Sequence, residues 1–486
     1  MRNLSCRSLP LAVLMATVVI PVFTPARAAG FVDDSILTGG VYYSQRYRDK
    51  RDMTPGSPNY GQYVEDLHHA TFNANLDFSS GFIGDTFGFD VAGFVAENLA
   101  TGNAAHPNEI GLSSANQRWG EHWAGDKGGF NLYKASLKFK YDNYWARAGY
   151  IQPTGQTLLG VHWGFVPGAY QGAEIGGNWD FGESGALSSS YFWANKYKAP
   201  WYTEMYEFRA ADNTSKVDYV HALGLRYDFK NKLVLEASWA QAADFMDQYM
   251  GKVSYSFPVA ERDLRISYQF YGAKDKVGSN THAAYGSVND EYDGLAWLQG
   301  ITLGYTVDPL DFRLEAQTVR APGNQGFFLQ RITPAYASSN GRMDIWWDAA
   351  SDFNANGETS VFGGVTYDLK NYDLAGWAVG AGYVYAWGAK PCTTCTVNGE
   401  QADQSQRINE SAWTLNIAHT VQTGRLKGTL FNLHYINYDN HGNNPNYGGG
   451  YNNMFQDEID IKFNVIAPFT IFLYGPVCEE KIRKHK

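Results

Sequence analysis

Between residues 320 and 359 the sequence gathers aromatic rings among charged and amide side chains. Phe327, Phe328, Tyr336, Trp346 and Trp347 stand beside Arg331, Asn340, Arg342, Asp344 and Asp348. A second stretch, 152–168 and just beyond, offers Gln156, His162, Trp163 and Tyr170. Flat apolar faces next to hydrogen-bonding groups suit a solute that carries both, such as a sugar ring with its rim of hydroxyls. An N-acetyl group would add a methyl for an aromatic face and an amide for Asn, Arg or Asp. The competing use of the same rings is packing within loops or anchoring at a membrane surface. Neighbours in an extended chain point opposite ways. At most one of Trp346 and Trp347 should therefore meet a solute, unless the chain turns there.

Other patterns carry less. Cys392-Thr393-Thr394-Cys395 could be a redox pair, half of a zinc site or a local disulfide. No βαβ context or second ligand pair accompanies it, and an exported chain favours the disulfide. Asp352, Asn354 and Asn356 match the first half of a calcium-binding loop, but the twelfth position is Gly363 rather than Glu. A turn is the better reading, since Asn-Gly is itself turn chemistry, and no metal or cofactor is expected. The histidines are scattered, with His68-His69 adjacent, and no nucleophile, base and orienting group stand out, so an enzyme is not expected.

The elements that must position these residues have a period of two. At Tyr133, Ala135, Leu137, Phe139 and Tyr141 apolar side chains alternate with Lys134, Ser136, Lys138 and Lys140. The same alternation runs through 70–78, 223–229, 312–317 and 459–465. Such a segment has one apolar and one polar face. The runs of about 9–12 residues are long enough to cross a bilayer when tilted. Frequent charges on the polar side suggest a watery lumen rather than a packed core. Arg147, Arg226 and Arg313, with Glu174, Glu236 and Glu315, would face that lumen. There they would set up a transverse field or simply solvate it.

The connections give an independent count. Eight short turns lie near Ser80-Gly81, Asp142-Asn143, Gly182-Glu183, Lys230-Asn231, Ala260-Glu261, Asp308-Pro309, Lys370-Asn371 and Gln422–Gly424. Nine longer polar connections alternate with them, near 46–68, 99–129, 152–168, 195–216, 242–248, 274–293, 320–359, 388–408 and 438–456. That predicts an all-β, antiparallel transmembrane barrel of eighteen strands, with short periplasmic turns and long outside loops. The Gly-rich stretch 169–181 is the weakest strand, and losing its hairpin would leave sixteen.

Composition agrees. The 486 residues are 15% aromatic and 18% charged, with a formal charge of −10. The aromatic load excludes a disordered chain, and the acidic balance argues against nucleic acid as a partner. Residues 1–28 read as a signal peptide: Arg2 and Arg7, an apolar run from Leu9 to Phe23, then Ala26-Arg27-Ala28. After it no apolar run is long enough for a membrane helix.

Longer phrases carry a family resemblance. They are Gly30–Ser35 with Leu37–Gly40, Trp145–Thr157, Phe328–Arg331 with Tyr336–Arg342 and Asp344–Asp348, and Lys462-Phe463 with Val465–Phe469. In these the chain resembles the OprD-type porins of Gram-negative outer membranes, and within them the enterobacterial chitoporin branch. The resemblance covers nearly all of residues 29–472. It implies an outer-membrane barrel that passes small solutes by diffusion, with the third and seventh outside loops, 152–168 and 320–359, folded inward as a constriction. For that branch it implies chitin oligosaccharides as solutes, chiefly the disaccharide. The wider family also includes porins for basic amino acids or peptides. It further implies a monomer, surrounded by outer-membrane lipid and lipopolysaccharide and inserted by the barrel-assembly machinery. One departure stands out. Barrels of this family end on an aromatic residue, here Phe472, yet 473–486 follow and finish in a basic cluster. A read-through or frameshifted end is expected, with less efficient assembly.

Overall fold

The alternating stretches become strands because each strand finds a partner on both sides. The computed structural model describes residues 31–472 apart from 33, 55, 101, 103–127, 161–166, 199–204, 210–215, 277–291, 324–325, 328–341, 391–395, 398–399, 402 and 442–455. The signal peptide, the 473–486 tail and the Cys392/Cys395 pair lie outside the described residues. The barrel strands are β1 (Ile36–Arg51), β2 (Tyr63–Ser79), β3 (Phe87–Ala100), β4 (Gly128–Tyr141), β5 (Tyr144–Ile151), β6 (Ala169–Asp180), β7 (Ala186–Lys198), β8 (Val220–Asp228) and β9 (Leu233–Ala242). They continue with β10 (Met246–Val259), β11 (Arg262–Asp275), β12 (Ala296–Val307), β13 (Leu310–Arg320), β14 (Thr359–Asp368), β15 (Trp377–Ala389), β16 (Ile408–Thr420), β17 (Leu430–Asn440) and β18 (Glu458–Phe472).

Each is antiparallel to the next, and β1 closes on β18, with Ile36 opposite Phe472 and Lys50 opposite Glu458. The result is a closed barrel of eighteen strands. Closure leaves no unpaired edge, the condition for backbone to cross hydrocarbon. The eight short turns fall where the sequence places them, and so do the long connections except 242–248, which is a three-residue turn, 243–245, because the two strands run on to Ala242 and from Met246. Three turns have two residues, and one of them, Ala260-Glu261, holds both at positive φ, the hairpin that matches strand twist.

The Gly-rich stretch is a full strand. β6 pairs with both β5 and β7. A Cβ at Gly176 would lie 2.3 Å from the Trp145 ring and one at Gly177 2.5 Å from that of Trp179, so these glycines make room for indoles.

Two expectations are corrected. Tyr133 does not belong to the outward apolar row. A bulge opposite Ala92/Gly93 leaves it as the extra residue of β4, and it turns in to pack on Phe94. Leu137 and Phe130 do face out and are 73% and 65% exposed, part of the band that meets lipid. Nor is the lumen watery throughout. On the β5–β13 side Leu158, Leu159, Tyr170, Phe192, Ala222, Ala240, Met250, Tyr271 and Leu298 form a packed apolar cluster inside the barrel. The strands are also longer than a bare crossing needs, up to 17 residues in β2.

Candidate pore constriction

Both long loops enter the barrel and are tied down by strand charges. The third loop starts where Arg147 and Glu174, opposite each other on β5 and β6, form an ion pair at 2.5 Å. Glu174 also accepts from the Thr154 hydroxyl at 2.6 Å and the Thr154 N–H at 3.2 Å. Leu158 N–H donates to Ser238 on β9 at 2.9 Å. The loop backbone lies directly on β8, where a Cβ at Gly224 would sit 2.0 Å from the Gln156 carbonyl. Only glycine permits that approach.

The seventh loop leaves β13 and returns from Arg342 to Glu358 as a strap. Arg342 is the link between the loops. Its N–H donates to the Leu158 carbonyl at 2.5 Å, and its guanidinium reaches the Gly155 carbonyl at 3.2 Å, Glu236 at 2.9 Å and Asp344 at 2.7 Å. Asp344 in turn takes Lys252 of β10 at 2.7 Å. Burial alone would raise the Asp344 carboxyl, but Arg342 and Lys252 outweigh it and hold it well below the usual carboxylate range. Ile345 sits over Gly300, where a Cβ would lie 2.5 Å from its tip.

Further along, Trp347 stacks on Phe362 at 5.5 Å and donates its indole N–H to Glu315 at 2.6 Å. Arg313 pairs with the same Glu315 and donates to the Trp346 carbonyl at 3.3 Å. Asp348 ends the strap against Lys462 of β18 and offers its carbonyl to His434 of β17 at 2.8 Å. Burial would raise the Asp348 carboxyl, yet Lys462 and His434 bring it below the ordinary range. The ties just described lie on β5–β18. Strands β2–β4, which hold none of these ties, carry Asn73, Asn75, Asp77, Asp90, Lys134 and Lys138. Lys134 pairs there with Asp77 and Lys138 with Asp90.

The sequence-predicted residues therefore divide. Arg342, Asp344, Trp346, Trp347 and Asp348 share the strap. Trp163, Phe328, Arg331 and Tyr336 lie outside the described residues. Two expected solute contacts are corrected: Tyr170 is 1% exposed between Phe192 and Tyr197, and Trp347 is 4% exposed under the strap, so neither has a free face. Trp346, which points the other way, is half-buried. The six strand charges are engaged rather than free, since Arg226 also pairs with Asp228 at 3.4 Å and approaches Glu236 at 3.7 Å. Asn356 accepts the Ala321 N–H at 2.9 Å, and Asn354 donates to the Phe327 carbonyl at 2.5 Å, so both fold the loop. Among the described residues no cluster of His, Cys, Asp and Glu is arranged to hold a metal ion. Sequence reasoning missed Lys252, Tyr271, His434 and Lys462, the wall partners of the strap. Their alternation marks them as inward, but not which loop residue they meet.

Three kinds of comparison bear on this geometry. The sequence matches the model of the outer membrane porin, OprD family, over residues 29–453. It is 58% identical over 449 residues to the chitoporin of Escherichia coli K12, covering 92% of this chain and 94% of that protein. Among solved structures, OpdK of Pseudomonas aeruginosa with vanillate superposes with a TM-score of 0.68 at 16% identity, over 91% of this chain and all of OpdK. OccAB1 of Acinetobacter baumannii gives a TM-score of 0.68 at 18% identity, over 91% of this chain and 98% of OccAB1. Those two identities speak for the fold alone.

Proposed function

The chain belongs to the OprD family of outer-membrane porins, a channel and not an enzyme, and from that premise we propose that its solutes are chitin oligosaccharides, from chitobiose upward. The observation that carries the reading is the 58% identity to a chitoporin across nearly the whole chain. The strap supports it in physical terms. Trp346 is a half-buried ring held by its own backbone, and its neighbours Arg313, Asp344 and Asp348 have their charge balanced by partners. A neutral sugar meets an aromatic face and hydrogen-bonding groups there without facing an unpaired charge. Each contact must stay weak, because a solute held tightly blocks its own path.

Trp163, Phe328, Arg331 and Tyr336 complete the proposed path by type and loop position. We assign 1–28 to export, 29–472 to the barrel, and 473–486 to an appended tail. The barrel works as a monomer, inserted by the assembly machinery among lipid and lipopolysaccharide. Liposomes loaded with the refolded protein test the solute. Swelling in chitobiose should clearly outpace swelling in cellobiose, which differs only in carrying a hydroxyl in place of each acetamido group. Equal rates for the two sugars would remove the assignment, and faster uptake of lysine than of chitobiose would replace it with a basic solute.

A further inference from the structure

At the periplasmic end of β2–β4 a set of paired charges faces the lumen and takes no part in the loop ties described above. Asp77 and Ser79 are the last inward residues of β2 before the short turn at Ser80-Gly81. Asp90 stands opposite Ser79 on β3, and Lys134 and Lys138 face inward from β4. Lys134 reaches over Ala92 of β3 to pair with Asp77, its in-register neighbour two strands away. Lys138 donates to Asp90 at 2.8 Å and to the Ser79 hydroxyl at 2.7 Å, and that hydroxyl donates to Asp90 at 2.8 Å.

Small residues let the lysines lie flat. β3 turns Gly88 and Ala92 inward beneath them, and a Cβ at Gly88 would sit 2.7 Å from the Lys138 stem. The charged ends thus form a track along the wall, with the Phe82 ring 5.1 Å from the Lys138 ammonium at its periplasmic end. The track is open to the lumen: Lys134 keeps 27% of its side-chain surface exposed, Lys138 15% and each aspartate 20%. Asp90 takes its bonds through one oxygen, which leaves the other as an open acceptor. Two acids face two lysines, so the set carries no net charge. Two other lumen pairs toward this mouth are looser, Arg226 with Asp228 at 3.4 Å and Arg265 of β11 with Asp311 of β13 at 3.3 Å.

That chemistry suits a neutral solute rich in hydroxyls. Each pair sets a carboxylate acceptor beside an ammonium donor, the complement of a hydroxyl or an acetamido group. Charged partners make such bonds about twice as strong as neutral ones. Asp90 lies one strand over and two residues along from Asp77, so the pairs are roughly 8 Å apart. A disaccharide can hold both pairs, while a single ring holds one. The site is separate from the strap. Lys462, which holds the strap's end, is in register through Arg46 with His69, and Asp77 is eight residues further along β2. That is roughly 26 Å of strand.

We propose that Asp77, Asp90, Lys134 and Lys138 form a second solute subsite, at the periplasmic mouth, that takes the hydroxyl and acetamido groups of a chitin disaccharide after it has passed the strap. This rests on the solute reading above.

The test is the dwell time of chitobiose in single channels of the refolded full chain. D77N/K134M and D90N/K138M each remove one charge of either sign, so conductance in salt alone should stay near the wild-type value. Each should shorten the chitobiose blockades about tenfold, the loss of one charge-assisted hydrogen bond. N-acetylglucosamine, which holds one pair at a time, should lose less. R265Q, at the same mouth, should leave the dwell time unchanged. Heat-modifiable migration on gels reports folding, and if one double variant does not fold the other decides. Wild-type channels that no chitin sugar interrupts would overturn this proposal and the solute reading together. Blockades that occur in the wild type and are not shortened in either double variant overturn the subsite alone, as does equal shortening in R265Q.

Discussion

Arg342 joins the two inward loops, and its neighbour Asp344 fixes where the strap lies. Replacing Asp344 with Asn would leave Arg342 and Lys252 buried with one acid fewer. Breaking a buried pair in this way costs about 3 kcal/mol. The expected outcome is a looser strap with higher single-channel conductance and a barrel that still migrates as folded. The pH response of these anchors lies on the acid side. Asp344 and Asp348 are held below the ordinary value of 3.8. Their contribution is therefore present above that value and is lost only as pH falls below it. Acidification to about pH 4 should leave the conductance constricted, as a bilayer titration would register. Trp347→Phe keeps the stack on Phe362 but removes the donor to Glu315, costing about 1–3 kcal/mol. Noisier open-channel current is the expected sign. At this scale the sequence was legible only in part. It said that Trp346 and Trp347 diverge, but not which one faces the wall, because that depends on where Glu315 and Phe362 stand in register.

At the scale of the element, the alternation and the rhythm of short and long connections were enough to read eighteen strands. A strand's period is local, so it shows in the sequence even when its partner does not. What stayed hidden was the relation between elements. The bulge that turns Tyr133 inward is set by β3, and the apolar cluster inside the barrel forms because loops fold back onto β5–β13. Gly224 and Gly300 are seats for loop segments, which nothing in their own strands announces. Gly224→Val makes this testable. Its Cβ would collide with the Gln156 carbonyl, so the third loop must lift off β8 while strand pairing survives. Conductance should rise with unchanged heat-modifiable mobility; loss of the folded band would instead mean that the strand itself needs this glycine.

For the whole molecule, closure is what allows every backbone group to be satisfied in lipid. The seam between β1 and β18 is reinforced from within. Arg46 reaches Asp460 with a guanidinium nitrogen at 2.7 Å, Asp460 is fully buried, and Lys462 beside it also holds Asp348 of the strap. The seventh loop thus braces the closing strands as well as narrowing the pore. Asp460→Asn should lower the temperature at which the folded gel band is lost by more than D344N does, because it acts on the seam directly.

The proposed sugar selectivity rests on a strap that carries Trp346. Single-channel recording with chitobiose through chitohexaose, against cellobiose and lysine, tests it most directly. Transient blockades by the N-acetylated sugars alone, shortened or lost in Trp346→Ala, are expected. Current that no sugar interrupts but lysine reduces would contradict the assignment, and blockades unaltered in Trp346→Ala would take the strap out of the solute's path.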